Sequence, residues 1–183
     1  MIHTFAVYVD NKPGVLNRVA SLFRRRAFNI ESLTVGRTEH PGISRMTVVV
    51  DTDEYGARRV EANLYKLVPV RRVENITLRP TIARDLALIK VSAAGDVRAQ
   101  VMQLVEVYRA RVIDVSAESL VIEATGTEDK IDSLLEVLRP YGVVEMVRTG
   151  LVAMARGTGA AVVRAAESAP AHAGHDNLGD YSV

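Results

Sequence analysis

The sequence contains no cysteine and no tryptophan, and only three phenylalanines and six tyrosines occur among its 183 residues. Without cysteine the chain has no disulfide framework, no thiolate metal site and no cysteine nucleophile. So few aromatic side chains also argue against a surface on which nucleic-acid bases stack. No apolar run approaches the roughly 20 residues that span a bilayer, and no signal-peptide pattern opens the sequence. These absences predict a cytoplasmic protein that binds neither membrane nor nucleic acid.

The overall composition is that of a folded globular protein, with 48% hydrophobic and 25% charged residues. The length suits one ordinary domain or two small domains. Charge is distributed unevenly, with 13 Lys and Arg against 8 Asp and Glu in residues 1–80, and 10 against 14 in residues 81–183. This positive excess in the first part is mild for nucleic-acid binding.

Hydrophobic periodicity divides residues 1–80 into six elements in the order strand, helix, strand, strand, helix, strand. The first strand, over 2–9, ends in a loop of turn residues from Asp10 to Gly14. Apolar residues at helical spacing follow from Val15 to Phe23. The later elements are strands at 30–38 and 43–52, a helix carrying Ala57, Val60, Leu64 and Leu67, and a strand at 68–78.

The same order of elements returns after a linker at Arg79-Pro80-Thr81. The second set has strands at 86–91, 112–115, 120–124 and 143–147, and helices near 97–108 and 131–138. The repeated order predicts an α+β protein with two tandem ferredoxin-like (βαββαβ) domains, each with a four-stranded antiparallel sheet and two helices on one face. We expect the domains to span residues 1–79 and 80–157.

Two helices on one face of a sheet leave the other face open unless something packs on it. An open apolar face or a free sheet edge favours association, so the fold predicts a homodimer. After a strand-like stretch at 151–155 the character changes. Residues 158–183 contain seven Ala and three Gly with little periodicity, and we expect a disordered tail there.

Few residues suggest catalytic or metal chemistry. Neither a metal-binding spacing nor a paired-carboxylate pattern accompanies the histidines, which we expect to be exposed or at strand ends. Gly157-Thr158-Gly159 resembles a dinucleotide fingerprint only superficially, because the third glycine is missing. The histidines are His3, His40, His172 and His175.

A basic run, Arg24-Arg25-Arg26, ends the first predicted helix. Cations at a helix C-terminus complement the helix dipole, and such a row is usually solvated. A docking role on a partner protein is the alternative.

The loop from Asn11 to Leu16 is the most informative part of the sequence. Gly14 allows a tight turn at the start of a helix, which leaves the amides of Val15 and Leu16 free to bind an anion such as a carboxylate. Short side-chain amides at Asn11 and Asn29 could hold the remaining polar groups of an amino acid. The alternative is that both asparagines only close turns.

Several segments of the sequence together form a distinctive set: the loop and helix start from Asp10 to Val19, Asn29 to Val35, Ser44 to Thr47, Lys66 to Val70, Ile113 to Val115 and Arg148 to Gly150. Together they resemble the small regulatory subunit of acetohydroxyacid synthase, also called acetolactate synthase. The segment from Asp10 to Val19 resembles the ligand-binding loop of that family's ACT domain. The resemblance covers about residues 1–157.

This resemblance implies a non-catalytic dimer that activates a large catalytic subunit and confers feedback inhibition by a branched-chain amino acid, usually valine. Thiamine diphosphate, flavin (FAD) and magnesium would belong to the catalytic partner, with no cofactor and no metal in this chain. By residue matching, one chain would supply Asn11, Gly14, Val15 and Leu16 to the effector site, and a second chain would supply Asn29 and Ile30. The second domain would assist dimerisation or partner contact.

Two other functions compete with this one. A stand-alone enzyme would need a nucleophile, a positioned base or a metal, and the sequence offers no credible set. An amino-acid-binding ACT regulator of another partner, such as a transcription regulator, would need a helix-turn-helix reader and a stronger basic patch to contact DNA.

Overall fold

A computed structural model describes residues 1–157, and the predicted tail at 158–183 lies outside them. The chain forms two successive βαββαβ units followed by one more strand. The first unit contains β1 (Ile2–Asp10), α1 (Val15–Arg25), β2 (Ile30–Arg37), β3 (Ile43–Asp51), α2 (Glu54–Leu64) and β4 (Val70–Asn75). The second contains β5 (Thr81–Ser92), α3 (Val97–Val107), β6 (Arg111–Val115), β7 (Ser119–Gly126), α4 (Glu128–Leu138) and β8 (Val143–Arg148), and β9 (Val152–Ala155) follows. The predicted α+β class with two ferredoxin-like units is confirmed.

The first sheet is antiparallel, with the strand order β2-β3-β1-β4. Its central strands are the most apolar ones. In β3, Val48 and Val50 are fully buried, as are Phe5 and Val7 in β1. Strand β2 pairs only with β3, so within the described residues its outer edge is free.

Both helices of the first unit cover one face of this sheet. Helix α1 buries Val15, Val19 and Phe23, which recur at the spacing of one helical face. From α2, Val60 and Leu64 join the same core, and the sheet contributes Phe5, Val7 and Val9. Each of these large apolar side chains contributes about 1.5–3 kcal/mol when it is removed from water.

The second unit repeats this arrangement with the strand order β6-β7-β5-β8. Its core joins buried sheet residues such as Ile89 and Ile122 to Val101 of α3 and Leu134 of α4. Helix α4 ends at Leu138 and passes into a short 3-10 turn, as expected from the proline and glycine that follow.

The second sheet differs from the prediction in having five strands. Residues 81–84 extend β5 beyond its predicted start at Leu86, because they pair with β9. In this pairing Thr81 lies opposite Ala155 and Arg84 opposite Val152. Strand β4, in contrast, is shorter than the predicted 68–78, because the chain turns through Leu67 before it and bends away after Asn75.

The open face expected for the first sheet is instead covered by the chain itself. Ala153 of β9 packs against Ala6 and Ile76, and Tyr8, Ala83 and Leu151 surround this small cluster. Arg45 of β3 also donates from Nη2 to the carbonyl oxygen of Ala153 at 2.5 Å. This covered face of the first sheet therefore gives no argument for dimerisation, whereas the free β2 edge does.

Candidate functional site

The loop between β1 and α1 is held by backbone and side-chain contacts to the neighbouring β2–β3 turn. The backbone amide of Asn11 donates to the carbonyl of Gly42 at 2.8 Å, and its Nδ2 donates to the carbonyl of Pro41 at 3.1 Å. The side-chain oxygen of Asn11 and one amide hydrogen are left for a ligand. The turn thus fixes an exposed asparagine beside the start of α1.

Gly14 forms the N-cap of α1 in a left-handed conformation, with φ of 81°. The positive φ favours glycine here, because residues with a Cβ rarely adopt it. Lack of space is not the reason, since a Cβ at this position would have no other atom within 4 Å. Gly14 carries no side chain that could cap the helix, and the first turn contains no acidic residue. The first helical hydrogen bond runs from the amide of Arg18 to the carbonyl of Gly14 at 3.1 Å.

The helix N-terminus therefore has donors to offer. The amide of Val15 makes a long bond of 3.4 Å to the carbonyl of Lys12. Among residues 1–157, the amides of Leu16 and Asn17 make no hydrogen bond. Two free amides at the positive end of a helix dipole form a site for a carboxylate.

The electrostatics of the loop suit an anion. Asp10 ends β1 beside the loop, and its carboxylate bonds Nε of Arg71 at 2.6 Å and lies 3.3 Å from Nζ of Lys12. The hydrogen bond from Arg71 is the main cause that holds the pKa of Asp10 below its usual value, and Lys12 adds to it. The negative charge of Asp10 is therefore neutralised.

The other two predicted site residues lie at the opposite end of the same sheet. Asn29 is exposed and donates from Nδ2 to Oε1 of Glu31, while Ile30 packs against the core. On β3, Ile43 pairs with Asp10 and Val50 pairs with Ile30. The stretch of β3 from Ile43 to Val50 spans about 23 Å, so the two groups of residues are separated by this distance along the strands.

The six predicted residues thus form two groups within one chain. Asn11, Gly14, Val15 and Leu16 lie together at one end of the sheet, and Asn29 and Ile30 lie at the other. A single chain does not bring the two groups together.

A cavity of about 520 Å³ lies between the two units, and the sequence did not predict it. On its second-unit side, Arg148 donates from Nε to Asp85 at 2.9 Å and from Nη1 to Asp132 at 2.8 Å. The first unit contributes Glu31 and Ser32 of β2. Thr149, Gly150 and Leu151 also line the cavity, and Gly150 has a left-handed φ of 83°.

The described part of the chain contains neither a cluster of metal-binding side chains nor a membrane-spanning helix. Residues 1–157 contain no group of three His, Asp or Glu side chains that could hold a metal ion. His3 is buried and stacks beside Phe5, and His40 lies in the β2–β3 turn. No helix in these residues is long and apolar enough to cross a membrane. His172 and His175 lie outside the described residues.

Comparison with known proteins gives a consistent result for both units. Residues 5–72 match the family model of the AHAS small subunit-like ACT domain, and residues 84–157 match that of the small subunit of acetolactate synthase. The probable acetolactate synthase small subunit of Archaeoglobus fulgidus is 50% identical over 157 residues, which cover 86% of this chain and 98% of that protein. The acetolactate synthase small subunit of Mycobacterium leprae is 52% identical over 155 residues, covering 85% and 92%.

A solved structure shares the fold across both units. The acetolactate synthase small subunit of Thermotoga maritima superposes with a TM-score of 0.81 at 42% identity, and the match covers 86% of this chain and 98% of that one.

Proposed function

Because the chain belongs to the acetolactate synthase small-subunit family, we propose that it binds a large catalytic subunit, raises its activity and makes it sensitive to a branched-chain amino acid. Valine is the effector that we expect first. In this proposal residues 1–79 form the amino-acid-sensing domain, and residues 80–157 form the second domain, which assists dimerisation or partner contact. The thiamine diphosphate, magnesium and FAD of the reaction belong to the large subunit.

The free helix N-terminus behind Gly14 is the observation that carries the proposal. This helix N-terminus offers two backbone amides to the carboxylate of an effector. The first turn of α1 contains no acidic side chain that would compete for them. An amino acid bound there would place its carboxylate on the amides and its ammonium near the side-chain oxygen of Asn11. A carboxylate–amide contact at a helix N-terminus is worth roughly 0.3–2 kcal/mol.

Two chains would complete the site if their β2 strands paired edge to edge. In an antiparallel pair, the start of one β2 lies against the end of the other. Arg37, at the end of β2, pairs with Ser44 of β3. Ile43, the neighbour of Ser44, pairs with Asp10, so the end of β2 lies at the same end of the sheet as the loop that follows Asp10. Asn29 and Ile30 of the second copy would therefore lie at the same end of the sheet as the Asn11 loop, which removes the separation of about 23 Å along the strands.

The apolar groups around this position favour an aliphatic effector. Val15 is buried under the loop, Leu16 is 46% exposed, and Ile30 is half-buried. A side chain such as that of valine would cover the exposed part of Leu16, with a gain of about 25 cal/mol for each Å² of apolar surface removed from water.

The alternative of an ACT regulator for another partner, such as a transcription regulator, has less support. Within residues 1–157 the four helices all belong to the two sheet-and-helix units, which leaves no separate helix-turn-helix reader. The relatives named above are small subunits of acetolactate synthase.

The test is a reconstitution with the matching large subunit. We expect no acetolactate from this chain alone, a higher turnover when it is added to the large subunit, and a fall in that turnover when valine is titrated in. Acetolactate formed by the small chain alone, or an unchanged rate after mixing, would overturn the proposal.

A further inference from the structure

A second cavity, of about 300 Å³, lies on the helix layer of the first unit, away from the sheet. Leu22 of α1 and Leu67, which follows α2, supply apolar surface, and the buried Asn63 lies between the helices. Arg25, Arg26 and Lys66 complete the lining, so we call this cavity the basic groove.

The three cations of the basic groove have no ion-pair partner in the described part of the chain. Neither Arg25, Arg26 nor Lys66 lies within 4.0 Å of a carboxylate there, and no carboxylate lines the groove. Arg71 and Arg79 of this unit are paired with carboxylates, whereas exposed arginines outside the groove, such as Arg58, are not paired within residues 1–157, so it is the clustering of three cations around one cavity that sets the groove apart. The groove therefore concentrates positive charge that the chain itself does not neutralise.

Helix dipoles account for only part of this charge. Arg25 lies in the last turn of α1, and Lys66 follows the end of α2. Each helix C-terminus is equivalent to roughly half a negative charge, so the two ends together balance about one of the three cations. An excess of about two positive charges remains for a ligand.

The ligand is better matched by a peptide segment than by a free small anion. The backbone groups left over at a helix C-terminus are carbonyls, which repel an anion instead of donating to it. Carboxylates must therefore reach outward to the three long side chains. Leu22 and Leu67 give the groove an apolar surface, which favours a ligand with an apolar side chain between those carboxylates.

We propose that the basic groove receives an acidic segment of the large catalytic subunit, with an apolar side chain seated on Leu22 and Leu67. This inference rests on the proposed function and adds a location for the partner contact. The groove is also close in sequence to the effector residues. Arg26 and Asn29 belong to one turn, in which Ala27 has the left-handed φ of 56°. An effector held by Asn29 would therefore act on the turn that carries a groove cation.

The experiment compares two double variants with the same change in charge. Arg25→Glu with Arg26→Glu reverses charge in the groove. Arg58→Glu with Arg139→Glu does so at two exposed arginines outside it, which have no ion-pair partner within residues 1–157. The concentration that half-saturates activation of the large subunit is measured for each, at low and at physiological salt. Thermal melting and calorimetric titration of valine check that each variant is folded.

We expect the groove variant to need roughly tenfold more protein for half-saturation and to lose most of the salt dependence, because steering and contact charges are removed. The control variant should stay within about twofold of the wild type, because single exposed charges outside the groove contribute little. Valine binding should persist in both variants.

Three outcomes count against parts of this scheme. If the wild type fails to activate the large subunit, the proposed function itself is overturned. If the wild type activates and the groove variant does so at the same concentration, only the groove assignment is overturned. The assignment is equally overturned if inorganic phosphate binds the wild type in calorimetry and is lost in the variant while activation is unchanged. Arg25→Gln with Arg26→Gln replaces the reversal if the glutamate variant melts early.

Discussion

The side-chain oxygen of Ser32 accepts a hydrogen bond from the backbone amide of Leu151 at 3.0 Å. This bond joins the edge strand β2 of the first sheet to the segment that leads into β9. Next to it, Thr34 donates from Oγ1 to the carbonyl of Thr149 at 3.4 Å. Gly150 lies between these two contacts, and the two units meet through this close backbone approach.

Replacement of Gly150 by alanine should weaken the contact between the units. The position has a φ of 83°, and a Cβ there would lie 2.6 Å from Oγ of Ser32. Gly95→Ala is the matched control, because its φ of 57° is also left-handed but its Cβ would meet no atom within 4 Å. Backbone strain alone costs about 1–3 kcal/mol at either site, and crowding at 150 adds about 1–3 kcal/mol. Equal losses in urea denaturation of the two variants would refute the crowding argument.

Gly14→Asp should abolish inhibition by valine and largely spare activation. A carboxylate at the N-cap competes for the amides that the effector needs, and it repels the effector's own carboxylate. Steric crowding is not the cause of the expected loss of inhibition, because a Cβ at Gly14 would have no other atom within 4 Å. Gly14→Ala shares the left-handed backbone strain without the charge, so it should retain inhibition. The measurement is a valine titration of the reconstituted enzyme, and full sensitivity of Gly14→Asp would move the effector site elsewhere.

The chain should be a dimer with sites shared between two copies. Light scattering is expected to give at least twice the 20.0 kDa of one chain, and a monomer at micromolar concentration would contradict this.

Asn29→Ala should weaken binding of the effector by about 1–3 kcal/mol, because the substitution leaves a polar partner unpaired. Chains with Gly14→Asp and chains with Asn29→Ala, co-expressed with different tags, should form mixed dimers with one intact site each. Recovered valine binding in the purified mixed dimer is expected, and its absence would place both residues in one chain's site.

Asp10 should contribute stability at neutral pH that disappears in acid. Its pKa is held below the unfolded value of about 3.9 by the Arg71 hydrogen bond first and by Lys12. A lowered folded-state pKa stabilises the fold above the unfolded pKa, and the contribution is lost as the pH falls through the folded value. Asp10→Asn should therefore melt below the wild type at pH 7 and converge with it as the pH falls below the lowered folded-state pKa of Asp10. Asp114→Asn, at an aspartate with no ion-pair partner among residues 1–157, is the control and should change little.

Deletion of residues 158–183 should leave folding and activation nearly intact. The Archaeoglobus fulgidus relative is covered over 98% of its length by a match of 157 residues, so it has little that corresponds to this segment. The melting temperature and the activation curve are compared with those of the full chain. A large drop in either would show that residues 158–183 contribute to the fold or to the partner contact.

The order of elements could be predicted because each one has its own local pattern. Alternation in β1, the glycine turn at Gly14 and helical spacing in α1 are all visible within a few residues. The pairing of Thr81 with Ala155 has no such local signal, since the partners are distant in sequence and the strand β9 has only four residues. The packing of Ala153 on Ala6 could not be predicted from the sequence for the same reason.

The candidate site shows the same division. The loop from Asn11 to Leu16 was predictable from turn chemistry and helix-start rules. No pattern in the sequence showed that Asn29 lies at the far end of the sheet, because that distance depends on the register of β2 against β3. The ion pairs of Arg148 with Asp85 and Asp132 were also hidden, since they join three separate elements.

The position of β9 has a consequence for the order in which the chain folds during synthesis. All six elements of the first unit have left the ribosome long before Ala153 is made. Until then the sheet face around Ala6 and Ile76 has no cover, although its helices are already packed on the other side. The nascent first unit is therefore exposed to association with other chains for as long as translation of the second unit takes, and synthesis that stops before Leu151 leaves it in that state.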